Sequence, residues 1–229
     1  SADAAILGVP YDEGSTNKPG SRFGPRSIRQ ASMLYAYEGV EERFYDADRR
    51  KWILRGKNIV DAGDVDIEPL CREENFEAIT GAVSAILEKG AVPAVLGGDH
   101  SITYPVLKAF SDRKIHYVHF DTHVDCDRIF KSGYTHGSPV ARILEDGLAE
   151  SITLLGLRGL TNSGNDGEWS PGQGAKYVTA RELKKARLEA LAGLFAEGDY
   201  NYGDAVAVCD LTEASRTGVR AQGGSCCPE

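Results

Sequence analysis

The chain has 229 residues, 41% of them hydrophobic, which is enough to bury a sizeable core as one domain. A formal net charge of −8 argues against a general affinity for nucleic acid or for an anionic membrane surface. No apolar stretch approaches the roughly 20 residues that cross a bilayer, and the first residues lack the pattern of a secretion signal, so we expect a cytoplasmic protein without a membrane or nucleic-acid partner.

Short apolar runs alternate along the chain with amphipathic stretches, a pattern typical of α/β proteins in which helices cover a parallel sheet. In chain order, strands are predicted at residues 4–9, 57–62, 91–96, 115–120, 152–157, 175–178 and 205–209. Helices are predicted at residues 75–89 and 138–145, and from a capping box at Thr179 and Glu182 towards Gly198. Residues 161–174 are rich in Gly, Asn, Ser and Pro and are predicted to form a long surface loop.

Two motifs follow directly after the third and fourth predicted strands. Gly-Gly-Asp-His-Ser places His100 after the third strand, and Asp121, His123 and Asp125 alternate after the fourth. Alternate side chains of an extended backbone point the same way, and the carboxyl ends of parallel strands meet at one edge of a sheet. Since clustered carboxylates cannot all stay ionised without a positive charge between them, the pair of motifs predicts a metal site.

Aspartate and histidine together suit manganese, with zinc, iron or cobalt as possible substitutes. Cys126 has the opposite parity to Asp121, His123 and Asp125, so on an extended backbone its side chain points the other way. Metals that prefer thiolate ligands therefore fit poorly. With Asp210 arriving from a later strand, two ions could share a bridging carboxylate at roughly 3.5–4 Å, lower the pKa of a bridging water and favour hydrolysis. His116 and His119, taken singly, are interpreted as structural residues.

The two motifs resemble the first two metal signatures of the ureohydrolases, the family of arginases and agmatinases. Residues 14–26 are similar to the N-terminal loop and helix start of that family, residues 134–139 to its His-Gly segment and residues 156–159 to its Gly-x-Arg strand end. The resemblance covers residues 4–210 and is closest to agmatinase-like members. It implies a three-layer α/β/α fold with a mainly parallel sheet, of the arginase/deacetylase type.

By this resemblance, His100 and Asp125 bind one manganese ion, His123 binds the other and Asp121 bridges them. His136 is implied to contact the substrate or to pass a proton to the leaving amine, so His136 and Asp121 are the expected catalytic residues. The implied reaction is hydrolysis of a small cationic guanidino compound by a metal-bridging hydroxide, with agmatine, giving putrescine and urea, as the first choice. The resemblance further implies two Mn²⁺ per chain and a homo-oligomer, either a trimer or a hexamer.

The C-terminal end departs from the family. Asp210 matches the first Asp of a third signature, but Thr212 stands where the family has the second Asp, which is a metal ligand. One manganese ion per chain, instead of two, is therefore the alternative. Nothing after Asp210 resembles the family, so we expect an incomplete ureohydrolase-like domain over residues 1–210 and a non-family tail over residues 211–229, from a truncated or frameshifted reading.

Loss of the final strands, which insert near the middle of the family sheet, would leave strand edges unpaired. The alternative function is therefore a catalytically impaired relative that lacks a full binuclear site. A zinc deacylase on a similar fold is the third possibility.

Overall fold

The computed structural model describes residues 1–35, 44–128, 133–185 and, for the backbone alone, 205–209. The chain divides into two compact units, Ser1–Pro105 and Val106–Glu229. Within the described ranges, no helix combines the length and the apolar character that crossing a bilayer requires.

The first unit is built around a three-stranded parallel sheet in the order β4-β1-β5. Strand β1 (Ala4–Val9) lies at its centre, between β4 (Ile59–Asp64) and β5 (Val92–Gly97). A separate antiparallel hairpin consists of β2 (Phe44–Asp46) and β3 (Lys51–Ile53). The carboxyl ends of β1 and β5 therefore lie side by side, where the loop that carries His100 begins.

Two helices accompany this sheet. Helix α1 (Gly24–Ser32) has Pro25 in its first turn, where the absent N–H costs no hydrogen bond. Helix α2 (Arg72–Glu88) buries an apolar stripe at three- and four-residue spacing, formed by Phe76, Ile79, Val83 and Ile86. Gly90 follows with a φ of 73°, the left-handed conformation that ends many helices and that glycine adopts without strain.

The second unit contains a four-stranded parallel sheet in the order β8-β7-β6-β9. Its strands are β6 (His116–Phe120), β7 (Ser151–Leu157), β8 (Ala175–Thr179) and β9 (Ala205–Cys209). The chain enters this unit along α3 (Thr103–Lys108), and its other helices are α4 (Pro139–Glu145), α5 (Gly164–Gly172) and α6 (Ala180–Lys185). On one side of the sheet, Val118, Leu155 and Val178 form a buried cluster with Phe120 and Leu183.

The α/β class with mainly parallel strands is confirmed, and each of the seven predicted strands exists within two residues of its expected bounds. The capping box is also present, since Glu182 accepts a hydrogen bond from Thr179 N at 2.7 Å and donates its own N–H to Thr179 Oγ1 at 3.3 Å. The predicted continuation of this helix beyond residue 185 lies outside the described residues.

The prediction of a long loop over residues 161–174 was wrong, because α5 occupies most of it. The segment lacks an apolar stripe and contains Pro171, so local preference does not explain the helix. Tertiary contacts hold it instead: the Arg128 guanidinium lies 4.1 Å from the centre of the Trp169 ring, and Ser170 Oγ bonds Tyr177 Oη. The β2–β3 hairpin was not predicted either.

Strands β5 and β9 each have a paired neighbour on one side only, among the residues that the structure describes. Val92, at the start of β5, is 65% exposed. In this part of the chain, β5 and β9 are therefore edge strands.

Candidate metal centre

A column of polar side chains runs along one face of β6 towards its carboxyl end. Tyr117, His119 and Asp121 alternate along the extended backbone, and the first two are fully buried. The ring centres of Tyr117 and His119 are 5.7 Å apart, and His119 Nε2 lies 3.1 Å from Asp121 Oδ2. The column thus ends in a buried carboxylate that is hydrogen-bonded to a buried imidazole.

Asp125 completes a compact group of possible metal ligands with His119 and Asp121. Each of the three offers one ligand atom, and these atoms lie within 4.8 Å of one another. Asp125 has a φ of 48°, and this left-handed residue turns the chain back towards the end of β6. Two carboxylates and an imidazole form a donor set that suits a borderline-hard divalent cation, so the residues fit a manganese ion chemically.

His123 lies beside Asp121, at the edge of this group. Asp121 Oδ1 accepts a hydrogen bond from the backbone N–H of His123 at 2.7 Å, and Nδ1 of the His123 ring is 3.5 Å from the same oxygen. The other ring nitrogen lies 2.8 Å from Thr161 Oγ1. Within the second unit, the structure thus brings Asp121 and Asp125 together and places the imidazole of His119 with them.

The loop after β7 holds the loop that carries Asp121 and Asp125. Asn162 Oδ1 accepts a hydrogen bond from Val124 N at 2.8 Å, and Asn162 Nδ2 donates to Thr122 O at 3.3 Å. A Cβ at Gly156, where φ is 99°, would lie 3.2 Å from Asp121 O, so this close approach of two backbones favours glycine. Nothing in the sequence pattern had distinguished Asn162 from its polar neighbours.

The segment around His136 is attached to the same loop from the other side. Val140 N donates to Asp125 O at 3.0 Å, and Asp127 N donates to Gly137 O at 2.8 Å. His136, half-buried, directly precedes Gly137. The residue that was predicted to transfer a proton thus lies on a segment that is hydrogen-bonded to the loop of the carboxylate group.

The carboxylates create a negative potential inside the second unit. Burial raises the pKa of Tyr117 well above its usual value, and the charges of Asp125 and Asp121 raise it further. The Tyr117 hydroxyl is itself buried and has no hydrogen-bond partner among the described residues. A neutral phenol adds no positive charge beside these two carboxylates, and their negative potential favours a cation at this place.

In the first unit, His100 opens a single 3₁₀ turn (His100–Ile102) directly after β5. Asp99 caps this turn, since its Oδ1 accepts hydrogen bonds from the backbone N–H of Ser101 at 2.9 Å and from the Ser101 hydroxyl. Asp99 N donates to Tyr11 O at 2.8 Å. Asp99 and Ser101, both buried, thus fix the backbone that carries His100.

The Arginase family model matches residues 2–202, most of the chain. The chain belongs to the arginase family. Among curated relatives, mitochondrial agmatinase of Gallus gallus is 34% identical over 196 residues, which cover 83% of this chain and 56% of the relative. Guanidinobutyrase of Pseudomonas aeruginosa is 35% identical over 194 residues, which cover 82% and 59%. This arginase-family chain spans little more than half the length of these relatives.

A solved structure supports the same fold. A variant of Trypanosoma cruzi formiminoglutamase with Mn²⁺ matches with a TM-score of 0.76, covering 93% of this chain and 71% of the other at 22% identity. At this identity the match shows the fold alone, which is the arginase-family fold expected from the sequence. The remaining predicted ligand, Asp210, and the divergent Thr212 lie outside the described residues.

Proposed function

We propose that the protein is a manganese-dependent hydrolase of guanidino compounds. The observation that carries the proposal is the compact group of His119, Asp121 and Asp125, whose ligand atoms lie within 4.8 Å of one another in an arginase-family chain. The names of the curated relatives, agmatinase and guanidinobutyrase, support guanidino compounds as the substrate class.

The proposed ligands are the residues that the resemblance identified: His100, Asp121, His123, Asp125 and Asp210. Asp121 would hold manganese together with these ligands, in an orientation set by the hydrogen bond of the His123 backbone N–H to its Oδ1 and by the ring of His119 at its Oδ2. Bound manganese would supply a water that is deprotonated near neutral pH and able to hydrolyse the guanidinium group. His136 would protonate the leaving amine as a general acid.

Agmatine is the proposed substrate, with putrescine and urea as products. The formal net charge of −8 suits a cationic guanidinium group. It does not select the far end of the substrate, which is an amine in agmatine and a carboxylate in guanidinobutyrate. Both compounds, together with arginine, therefore belong in the assay.

The test measures bound manganese and released urea in the same preparation. The purified chain is incubated with MnCl₂, dialysed, analysed for metal by mass spectrometry and assayed with the three substrates. We expect two ions per chain and urea from agmatine, and we expect Asp121→Asn to lower both the metal content and the rate. Asp121 is buried and paired, so its replacement could disturb the fold. The circular dichroism spectrum of the Asp121→Asn variant is therefore compared with that of the parent chain. Absence of urea with every substrate would contradict the proposed activity.

The second candidate is a catalytically impaired relative, which Thr212 favours because a neutral hydroxyl is a weaker metal ligand than a carboxylate. One ion or none per chain, without urea release, is the result that this candidate predicts. Thr212→Asp separates the two: restored metal content and activity would identify this position as the defect.

We further propose that the protein is a homo-oligomer, a trimer or a hexamer, as the family resemblance implies, and that it is located in the cytoplasm. Light scattering of the purified chain after gel filtration measures its mass directly. A monomer at every concentration would contradict the oligomer.

A further inference from the structure

We propose that His119 is a positioning residue that fixes the carboxylate of Asp121 for metal binding, an inference that rests on the proposed function. Its Nε2 lies 3.1 Å from Asp121 Oδ2, and neither side chain is exposed to solvent. A carboxylate oxygen can only accept hydrogen bonds, so Nε2 carries the proton in this contact.

Two contacts on two oxygens set the orientation of the carboxylate. The His123 backbone N–H binds Oδ1 at 2.7 Å, and the His119 ring binds Oδ2. With one oxygen held by the backbone and the other by a side chain, rotation of the carboxylate about its Cβ–Cγ bond breaks at least one hydrogen bond. Loss of the His119 contact would remove the restraint that this ring places on Oδ2.

The His119 ring is itself held in place. It is fully buried on β6 and packs against the ring of Tyr117, with the two centres 5.7 Å apart. A buried carboxylate is costly unless a donor stabilises its charge, and His119 supplies such a donor without solvent competition. Groups that hydrogen-bond a metal ligand typically change metal affinity by 10- to 100-fold when they are removed, although they do not touch the ion.

The other histidine of β6 provides a matched control. His116 has the opposite parity on the strand, and its Nδ1 lies 2.7 Å from Ser151 Oγ, at the start of β7. Both histidines are thus partly or fully buried on the same strand and hydrogen-bonded, and the one whose ring contacts the Asp121 carboxylate is His119.

The experiment compares Mn²⁺ affinity in His119→Phe, His119→Gln and His116→Phe, using the electron paramagnetic resonance signal of unbound Mn²⁺. Phenylalanine keeps the ring and removes the donor, whereas glutamine restores an amide donor at a similar reach. We expect His119→Phe to weaken Mn²⁺ binding by about 10- to 100-fold. Glutamine should recover most of that loss, and His116→Phe should leave the affinity unchanged. Thermal melts of the metal-depleted variants show that each is folded.

The outcomes separate this inference from the proposed function. If the parent chain binds no Mn²⁺, the metal-dependent function fails and the inference fails with it. If the parent binds Mn²⁺ and His119→Phe binds it equally well, the inference alone is overturned. It is also overturned if the glutamine variant is as weak as the phenylalanine variant, since that result would assign His119 a role other than hydrogen-bond donor.

Discussion

Asp12, at the start of the segment after β1, is 2% exposed and organises residues eight to ten positions further along the chain. Its Oδ2 accepts hydrogen bonds from the backbone N–H groups of Gly20 at 2.6 Å and Arg22 at 3.2 Å, and its Oδ1 accepts one from Arg22 Nε at 2.6 Å. Burial would raise the pKa of Asp12, but the hydrogen bonds from Arg22 and Gly20 outweigh it and lower that pKa. One carboxylate thus closes the loop that resembles the N-terminal loop of the family.

We predict that Asp12→Asn lowers the free energy of unfolding by about 1–3 kcal/mol near neutral pH, because it removes the charge from these hydrogen bonds. The folded pKa of Asp12 is lower than the unfolded value of about 3.9, so the stabilisation is fully present above that value. It is lost as the pH falls through the folded pKa. Urea unfolding at several pH values measures the difference between parent and variant.

The matched control is Asp112→Asn, at a residue whose side chain is 82% exposed. This variant should unfold like the parent chain at every pH. A difference between Asp12→Asn and the parent that stays constant down to strongly acidic pH would contradict the assignment to Asp12.

At the scale of elements, the segment that carries Asp121 and Asp125 is held in place more by loops between strands than by the strands themselves. The segment after β6 is tied to the loop after β7 through Asn162 and to the start of α4 through the bond between Val140 N and Asp125 O. The side chain of Asn162 also donates to Arg158 O at 3.1 Å, so it connects both ends of its own loop to the segment. The side chain of Asn162 is therefore one of the groups that hold this segment in place.

We predict that Asn162→Ala destabilises the fold and weakens Mn²⁺ binding. The Val124 N–H loses its acceptor, which costs about 1–3 kcal/mol if the group stays buried. The loosened segment should bind Mn²⁺ about tenfold more weakly, as loss of an outer support typically does. Ser163→Ala is the control, because Ser163 precedes α5 without a capping hydrogen bond from its side chain. Equal Mn²⁺ affinity in the two variants would show that Asn162 does not support the site.

The difference between prediction and structure has a physical basis at both of these scales. Buried parallel strands are continuous apolar runs, so β6 and β7 were predictable, and so were the carboxylates that follow β6. Helix α5 was not predictable, because it depends on contacts with Arg128, which is distant in sequence, and with Tyr177 on the following strand. His119 had the same parity as Asp121, and that signal could have identified it. Its hydrogen bond to Asp121 became visible only in three dimensions.

At the scale of the whole molecule, the chain consists of two compact units, and the predicted ligands His100 and Asp121 belong to different ones. The second unit already contains two of the predicted carboxylates, Asp121 and Asp125, close together. A ligand that binds only the folded chain stabilises it in proportion to the logarithm of its concentration. Metal binding and folding should therefore be linked.

We predict that Mn²⁺ raises the melting temperature and that a chelator reverses the effect. At a concentration 100 times its dissociation constant, the ion contributes about 2.7 kcal/mol, which corresponds to a rise of roughly 5–10 °C for a chain of this size. Differential scanning calorimetry with and without MnCl₂ measures the shift. Asp125→Asn should abolish most of it, and a shift of equal size in that variant would contradict a role for Asp125 in metal binding.

Strand β5 carries Pro93 opposite Ala5 of β1, at the open edge of the three-stranded sheet. Proline lacks the amide hydrogen that a ladder of strands requires, and in sheets it is confined largely to edges. A neighbouring molecule that approached β5 would meet a row of donors with a gap in it. Pro93 thus hinders edge-to-edge pairing of β5 with a strand of another molecule. It thereby lowers the tendency of this edge to aggregate with other copies of the chain.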